Sequence, residues 1–271
     1  MRAILLLLLL FSPGAAHAVR RGEPAVRDPR LARSTVAVDI DWQETLYKGR
    51  KVKGSCTGVI VGARVVLTAA HCLTMGGPAY KPTKVTFLSP EGEATQLSTS
   101  IMNAAMPGVY KTNPIEADIA VLYLSEKIPA GYEPVAIEGS EAALKKLRRV
   151  RVAGLGLDRE KKYGFLNFLD MKVIDHGGKT FGGTASTGEG LCPGDSGGPA
   201  FIDLNGTLRL VGITSTSANA GQCKRPGPAT FTLIPRFAYE WVIGAMDALA
   251  ALEAEERDPI VLGGKAYGKV D

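Results

Sequence analysis

Strand-length apolar segments separated by turn residues recur along most of this chain, and they commit it to an all-β plan. They include STVAVDI, GVIVGARVVLTAA, KVTFLS, DIAVLYL, RVRVAGLGL, LDMKVID, PAFID, LRLVGIT and ATFTLI, most of them rich in Val, Ile, Leu and Thr. The 32 glycines and 16 prolines supply turns between short strands rather than long helices. FIDLNGTLRLVGI reads as a hairpin turning at Asn205-Gly206, because a type I′ turn needs positive φ at both central residues. Asn205-Gly206-Thr207 is also formally a glycosylation sequon, but the turn accounts for it. Helical periodicity is confined to GSEAALKKL and to IPRFAYEWVIGAMDALAALEAEE near the end. The strands therefore fall into two small units, residues 19–130 and 131–250, joined by a crossing segment, with a tail at 251–271. A cleft between two such units is a natural place for chemistry.

The first eighteen residues read as a signal peptide: Arg2, then AILLLLLLF, then the small-residue cleavage site Ala16 to Ala18. The expected mature chain starts at Val19 and is exported, to the periplasm or the extracellular space, with no membrane attachment once the signal is removed. Four cysteines, Cys56, Cys72, Cys192 and Cys223, then sit where disulfides persist. Of the three pairings, Cys56 with Cys72 and Cys192 with Cys223 closes the shortest loops and is the expected one. Without a C-x-x-C and with only His71 and His176 left after processing, a metal site is not expected. Net charge is +5, and loss of Arg2 with the signal lowers it by one. The basic clusters KGRKVK and KKLRRVR lack interleaved aromatics and read as solvated faces, so nucleic acid is not an expected partner.

EGLCPGDSGGPA, Glu189 to Ala200, cannot pack a core, yet it holds one serine and one aspartate among glycines and prolines. Ser196 becomes a nucleophile only if a base takes its proton and a third group orients that base. His71 ends an apolar segment and is pinned beside Cys72, whereas His176 sits in the turn-like VIDHGGK, so His71 is the better base. Asp118 enters the apolar run DIAVLYL and would be drawn inward; Asp158, Asp170 and Asp175 lie among charged or turn residues. Gly194 and Gly198 make a G-x-S-x-G around Ser196, which also fits the nucleophile elbow of α/β-hydrolases. That fold needs a histidine after the serine, and none follows Ser196.

LTAAHC, DIAVL and GDSGGP, in that order, resemble the trypsin/chymotrypsin-like serine endopeptidases. The resemblance covers Val19 to about Ala250 and implies two antiparallel six-stranded β-barrels, an active site in the cleft between them and a C-terminal α-helix. It implies His71 as general base, Asp118 as its orienter, Ser196 as nucleophile, and the N–H groups of Gly194 and Ser196 as the oxyanion hole. Cys56–Cys72 and Cys192–Cys223 match two disulfides of that family. Ser215 matches a serine that bonds the triad aspartate and whose backbone pairs with substrate. VRRGEPA resembles the family's activated N-terminus, so the Val19 α-amine is expected to pair with Asp195. Gly190 maps to the base of the primary pocket and Thr216, Ser217 and Gly227 to its walls. With no aspartate at the base, the P1 side chain is expected to be neutral rather than Lys or Arg, with Glu the variant that the hydroxyls of Thr214 and Ser217 leave open. The implied function is a monomeric serine endopeptidase that needs no cofactor and takes protein or peptide substrates and protein inhibitors. A protease-fold protein that binds without cutting and a serine esterase on the same fold are the alternatives.

Overall fold

The structure is a computed structural model that describes residues 19, 22–42, 54–74, 80–156, 164–175, 178–186, 188–218, 223 and 227–255. The expected signal peptide, His176, Asp158 and the end of the tail lie outside the described residues.

Thirteen strands follow one another, with four α-helical segments, among the described residues. They are β1 (Glu23–Pro24), β2 (Thr35–Trp42), β3 (Gly54–Gly62), β4 (Val65–Thr68), β5 (Tyr80–Leu88), β6 (Ala94–Ala105), β7 (Ala120–Leu124), β8 (Arg149–Gly154), β9 (Asn167–Asp175), β10 (Thr180–Thr184), β11 (Pro199–Leu204), β12 (Thr207–Ser217) and β13 (Ala229–Leu233). The helices are α1 (Pro29–Ser34), α2 (His71–Thr74), α3 (Glu141–Lys145) and α4 (Tyr239–Glu255). Strands β2-β3-β4-β7-β6-β5 close into one antiparallel barrel. Strands β9-β10-β13-β12-β11-β8 close into a second through the β8–β9 pairing, with the short β1 added outside β9. Closure leaves each barrel without an open edge, which a sheet this apolar requires.

The nine apolar segments read from the sequence all contribute strands, and the Asn205-Gly206 hairpin is present. Asn205 has φ 54 and Gly206 φ 85, and the flanking Leu204 pairs with Thr207. Besides the two-residue β1, two strands carry no such signal. β6 alternates weakly because most of its residues are half-buried or exposed, and β10 contains Gly182-Gly183 at an irregular pairing with β9. Neighbouring strands recruit both.

Two further contacts bind the ends of the chain to the barrels. Asp28, at the start of α1, is buried and receives both Arg30 (2.7 and 2.8 Å) and Arg151 of β8 (2.9 Å). Burial alone would raise its carboxyl, but the two guanidinium groups outweigh that and hold it below the usual carboxylate range. Arg151 also grips Asp170 through two 2.9 Å bonds, and Arg30 reaches Asp203 at 2.9 Å and the Gly206 carbonyl at 2.7 Å. At the other end α4 presents Trp241, Val242, Ala245 and Leu249 on one stripe, and all four join the core cluster that fills the first barrel. No helix among the described residues is long and apolar enough to cross a membrane.

Leu249 is 3 % exposed. Leu249→Ala is therefore expected to lower stability by about 2–5 kcal/mol, read as a drop in the urea midpoint with an unchanged m-value.

Candidate active site

β4 is buried along its whole length, and Ala69 and Ala70 after it are fully buried, so the chain emerges at α2 with His71 as its first residue. Cys72 is bonded to Cys56 on β3, which fixes that helix turn to the barrel wall. β7 pairs antiparallel to β4 with Thr68 opposite Ala120, so Asp118, just before β7, stands at the same end as His71. Its side chain is 4 % exposed and His71's 15 %. The His71 backbone N–H donates to Asp118 Oδ1 at 2.9 Å, and Nδ1 lies 2.7 Å from Oδ2. A carboxylate only accepts, so Nδ1 carries the hydrogen and, in neutral imidazole, Nε2 is left as the acceptor. The second barrel adds two donors: Ser215 Oγ to Asp118 Oδ2 at 2.6 Å, and Thr232 Oγ1 to the Asp118 carbonyl at 2.9 Å.

Ser196 belongs to a loop held at both flanks. The Thr57 N–H donates to the Ser196 carbonyl at 2.8 Å, and the Thr57 hydroxyl donates to the Gly194 carbonyl at 2.8 Å while accepting from the Leu155 N–H at 3.0 Å. Thr57 follows Cys56, the partner of Cys72, so a single residue step links the Ser196 loop to the His71 turn. Gly197 has φ 79, and a Cβ there would lie 2.1 Å from Thr68 Oγ1 and 2.4 Å from the Thr57 carbonyl, so only glycine lets the loop approach the first barrel. Gly194 has φ 98, again a backbone that side chains resist. Among the described residues, the N–H groups of Gly194 and Ser196 have no protein acceptor.

Asp195 points the opposite way. It is fully buried, and Oδ1 accepts from Gly156 N–H at 2.8 Å and Oδ2 from Cys192 N–H at 2.7 Å. Burial pushes its carboxyl up to about 7 in spite of these two donors, and no cation faces it among the described residues. Val19 is also fully buried, packed within the core of the second barrel.

Over residues 32–241 the sequence matches the trypsin family model. The chain belongs to the trypsin family. It is 28% identical over 190 residues to a trypsin of Simulium vittatum, covering 64% of this chain and 74% of that protein. It is 28% identical over 265 residues to kallikrein-8 of Mus musculus, covering 89% of this chain and 94% of the relative. The rat kallikrein-8 is 29% identical over 224 residues, or 74% and 80% of the two chains. This trypsin-family protein is a serine-type endopeptidase, a hydrolase whose substrates are proteins or peptides.

The segments that hold Gly190, Ser217 and Gly227 are tied to one another. Cys192 is bonded to Cys223, which ties the Gly190–Leu191 stretch to the far end of β12. Gly190 is buried, Thr216 is exposed, and Ser217 Oγ lies 3.5 Å from the Leu191 carbonyl. A bulge between Thr214 and Thr216 sets Ser215 apart from the ladder, which lets it reach Asp118. Beyond the bulge, Ser217 pairs with Ala229, whereas Gly227 donates its N–H to the Ala218 carbonyl at 2.9 Å. The residue across from Ser217 in the ladder is thus Ala229, while Gly227 meets the next residue, Ala218. Leu191 is buried in the same cluster as Ala229, and the Thr214 hydroxyl is buried with no partner among the described residues. Cys56, His71 and Cys72 cluster closely, but both sulfurs are in a disulfide and offer no thiolate to a metal.

Thr57, Thr232 and Ala229 had no mark in the sequence: a threonine after a cysteine or within a strand is ordinary until its partner is seen. Thr57→Val would leave the Gly194 carbonyl and the Leu155 N–H without that hydroxyl in the interior. The expected result is a stability loss of about 1–3 kcal/mol in urea unfolding, together with a lower kcat on a peptide substrate.

Proposed function

We propose that this protein is an exported endopeptidase that cleaves through an acyl-enzyme. Ser196 attacks the scissile carbonyl, His71 Nε2 takes its proton and returns it to the leaving amine, and Asp118 holds the imidazole and stabilises its cation. The N–H groups of Gly194 and Ser196 stabilise the tetrahedral oxyanion. The observation that carries this reading is the Asp118 carboxylate, which binds the His71 ring on the side that leaves Nε2 as acceptor. Water then hydrolyses the Ser196 ester with the same base. The uncharged Gly190 favours a small or apolar P1 side chain. The protein works as a monomer, and a protein inhibitor that presents an extended loop would occupy the same cleft. Export and cleavage before Val19 create the α-amine that pairs with Asp195; the support is the burial of Val19 and of an Asp195 that no cation faces among the described residues.

A fluorophosphonate probe is expected to label the processed protein and not Ser196→Ala, and casein turnover is expected to exceed that of a simple ester. Ser196-independent labelling would remove the hydrolase reading, and ester turnover without casein cleavage would favour the esterase. Peptide-library profiling is expected to give neutral P1 residues; strong cleavage after Arg contradicts the pocket assignment.

The activation pair predicts a difference in pH dependence. In the precursor, the raised Asp195 pKa means that the folded state holds a proton the unfolded state has lost, so stability falls as pH rises from about 4 to about 7. In the processed chain the α-ammonium of Val19 favours the ionised carboxylate, and this loss disappears. Urea unfolding of the Ser196→Ala precursor and of a chain starting at Val19, across that pH range, reads the difference. Identical profiles would sever Val19 from Asp195.

A further inference from the structure

A cavity of the second barrel lies away from the cleft. It has a volume of about 630 Å³, and it is built where α3 and the chain leading into β8 pass over β11. None of its lining residues belongs to the site described above. β11 begins three residues after Ser196 and runs to Leu204, so the groove sits at the end of that strand remote from the nucleophile loop.

Its chemistry is two-sided. The 45 % exposed Leu204, with Ala142 and Ala143 of α3, gives it an apolar floor, underlain by the buried Val150, Phe201 and Ile202. Lys146, Arg148 and Arg149, from the KKLRRVR cluster, stand on its rim, exposed to solvent. Among the described residues none of the three pairs with a carboxylate. One arm of Arg148 is held by the carbonyls of Lys145 and Leu147, both at 3.1 Å, which fixes its charge at the edge. The acids nearby are already neutralised: Asp170 is gripped by Arg151 and Asp203 by Arg30. That leaves Glu138 as the one lining carboxylate without a cation among the described residues, against three unpaired cations.

We propose that this groove is a second binding site, which docks an acidic segment of a partner polypeptide, with an apolar side chain seated on Leu204 and Ala143 and flanking carboxylates on Lys146, Arg148 and Arg149. The apolar floor selects a polypeptide over a sulfated polysaccharide, which would use the charges and leave the floor wet. The position selects a partner held on the enzyme outside the cleft, such as a substrate or inhibitor whose docking segment is distant from the bond presented to Ser196. Such a site raises local concentration without changing the chemical step.

The test uses the full processed chain with Ser196→Ala, so binding is read apart from cutting. A fluorescent blocked peptide of glutamates with interspersed leucines is the probe. Its glutamine counterpart and a sulfated oligosaccharide are the comparisons. The glutamate peptide is expected to bind with an affinity that falls as salt rises. The triple variant Lys146→Gln, Arg148→Gln, Arg149→Gln is expected to weaken it about tenfold or more and to flatten the salt dependence. Leu204→Ser is expected to weaken it by about threefold or more. With Ser196 restored, the triple variant keeps its turnover of a short peptide substrate, which reports an intact fold and cleft. As a gain-of-binding control, Arg148→Glu with Arg149→Glu is expected to capture the lysine counterpart of the probe. Equal binding of glutamate and glutamine peptides, unchanged binding by the triple variant, or binding of the oligosaccharide alone would each overturn the proposal.

Discussion

The Asp118 carboxylate is the charge around which the two barrels are arranged. A buried carboxylate survives ionised only if donors replace the water it has lost, and one barrel does not supply enough of them. The first barrel provides the His71 backbone N–H and the imidazole Nδ1, and the second provides Ser215 Oγ, with Thr232 bonding the same residue's carbonyl. The cleft is thus a consequence of the seam: the barrels must meet at Asp118, and His71 is held at the mouth where they meet.

The rest of the seam obeys the same requirement. Thr57 belongs to the first barrel, yet its hydroxyl and N–H satisfy the backbone of the Ser196 loop and of Leu155 in the second. That closeness excludes a side chain at Gly197, whose Cβ would collide with Thr68. Asp195 shows the reverse situation. It sits beside Ser196, equally removed from water, but among the described residues only two backbone N–H groups face it, and its carboxyl rises to about 7. Two buried carboxylates 77 positions apart in sequence therefore differ in what surrounds them: one is already solvated by protein, and the other has no cation among the described residues.

Much of this could be read before folding was known. Alternation and turn residues located nine strand segments and the Asn205-Gly206 hairpin, because those signals act over a few residues. β6 and β10 were invisible for the same reason: half-exposed alternation and a pair of glycines say little locally, and these strands exist because their neighbours require partners. The candidate residues His71, Asp118 and Ser196 were legible because each stands in a short motif, and the order of the motifs excluded the competing hydrolase fold.

What the sequence by itself determined, then, was the all-β plan, the cysteine pairing and the candidate site residues, since each depends on composition, spacing or order along the chain. The tertiary structure alone decided which groups serve them. Thr57 lies 137 residues from the carbonyl it bonds, a separation across which no local pattern extends. One bulge in β12 set Ser215 apart from the ladder and within reach of Asp118, and a shift of register changes which side chain faces a site without changing the sequence at all. The basic cluster before β8 likewise looked like an ordinary solvated face until folding laid it beside an apolar floor from β11. Contacts between distant segments are fixed by packing and closure of the barrels, and these exist only once the chain has folded.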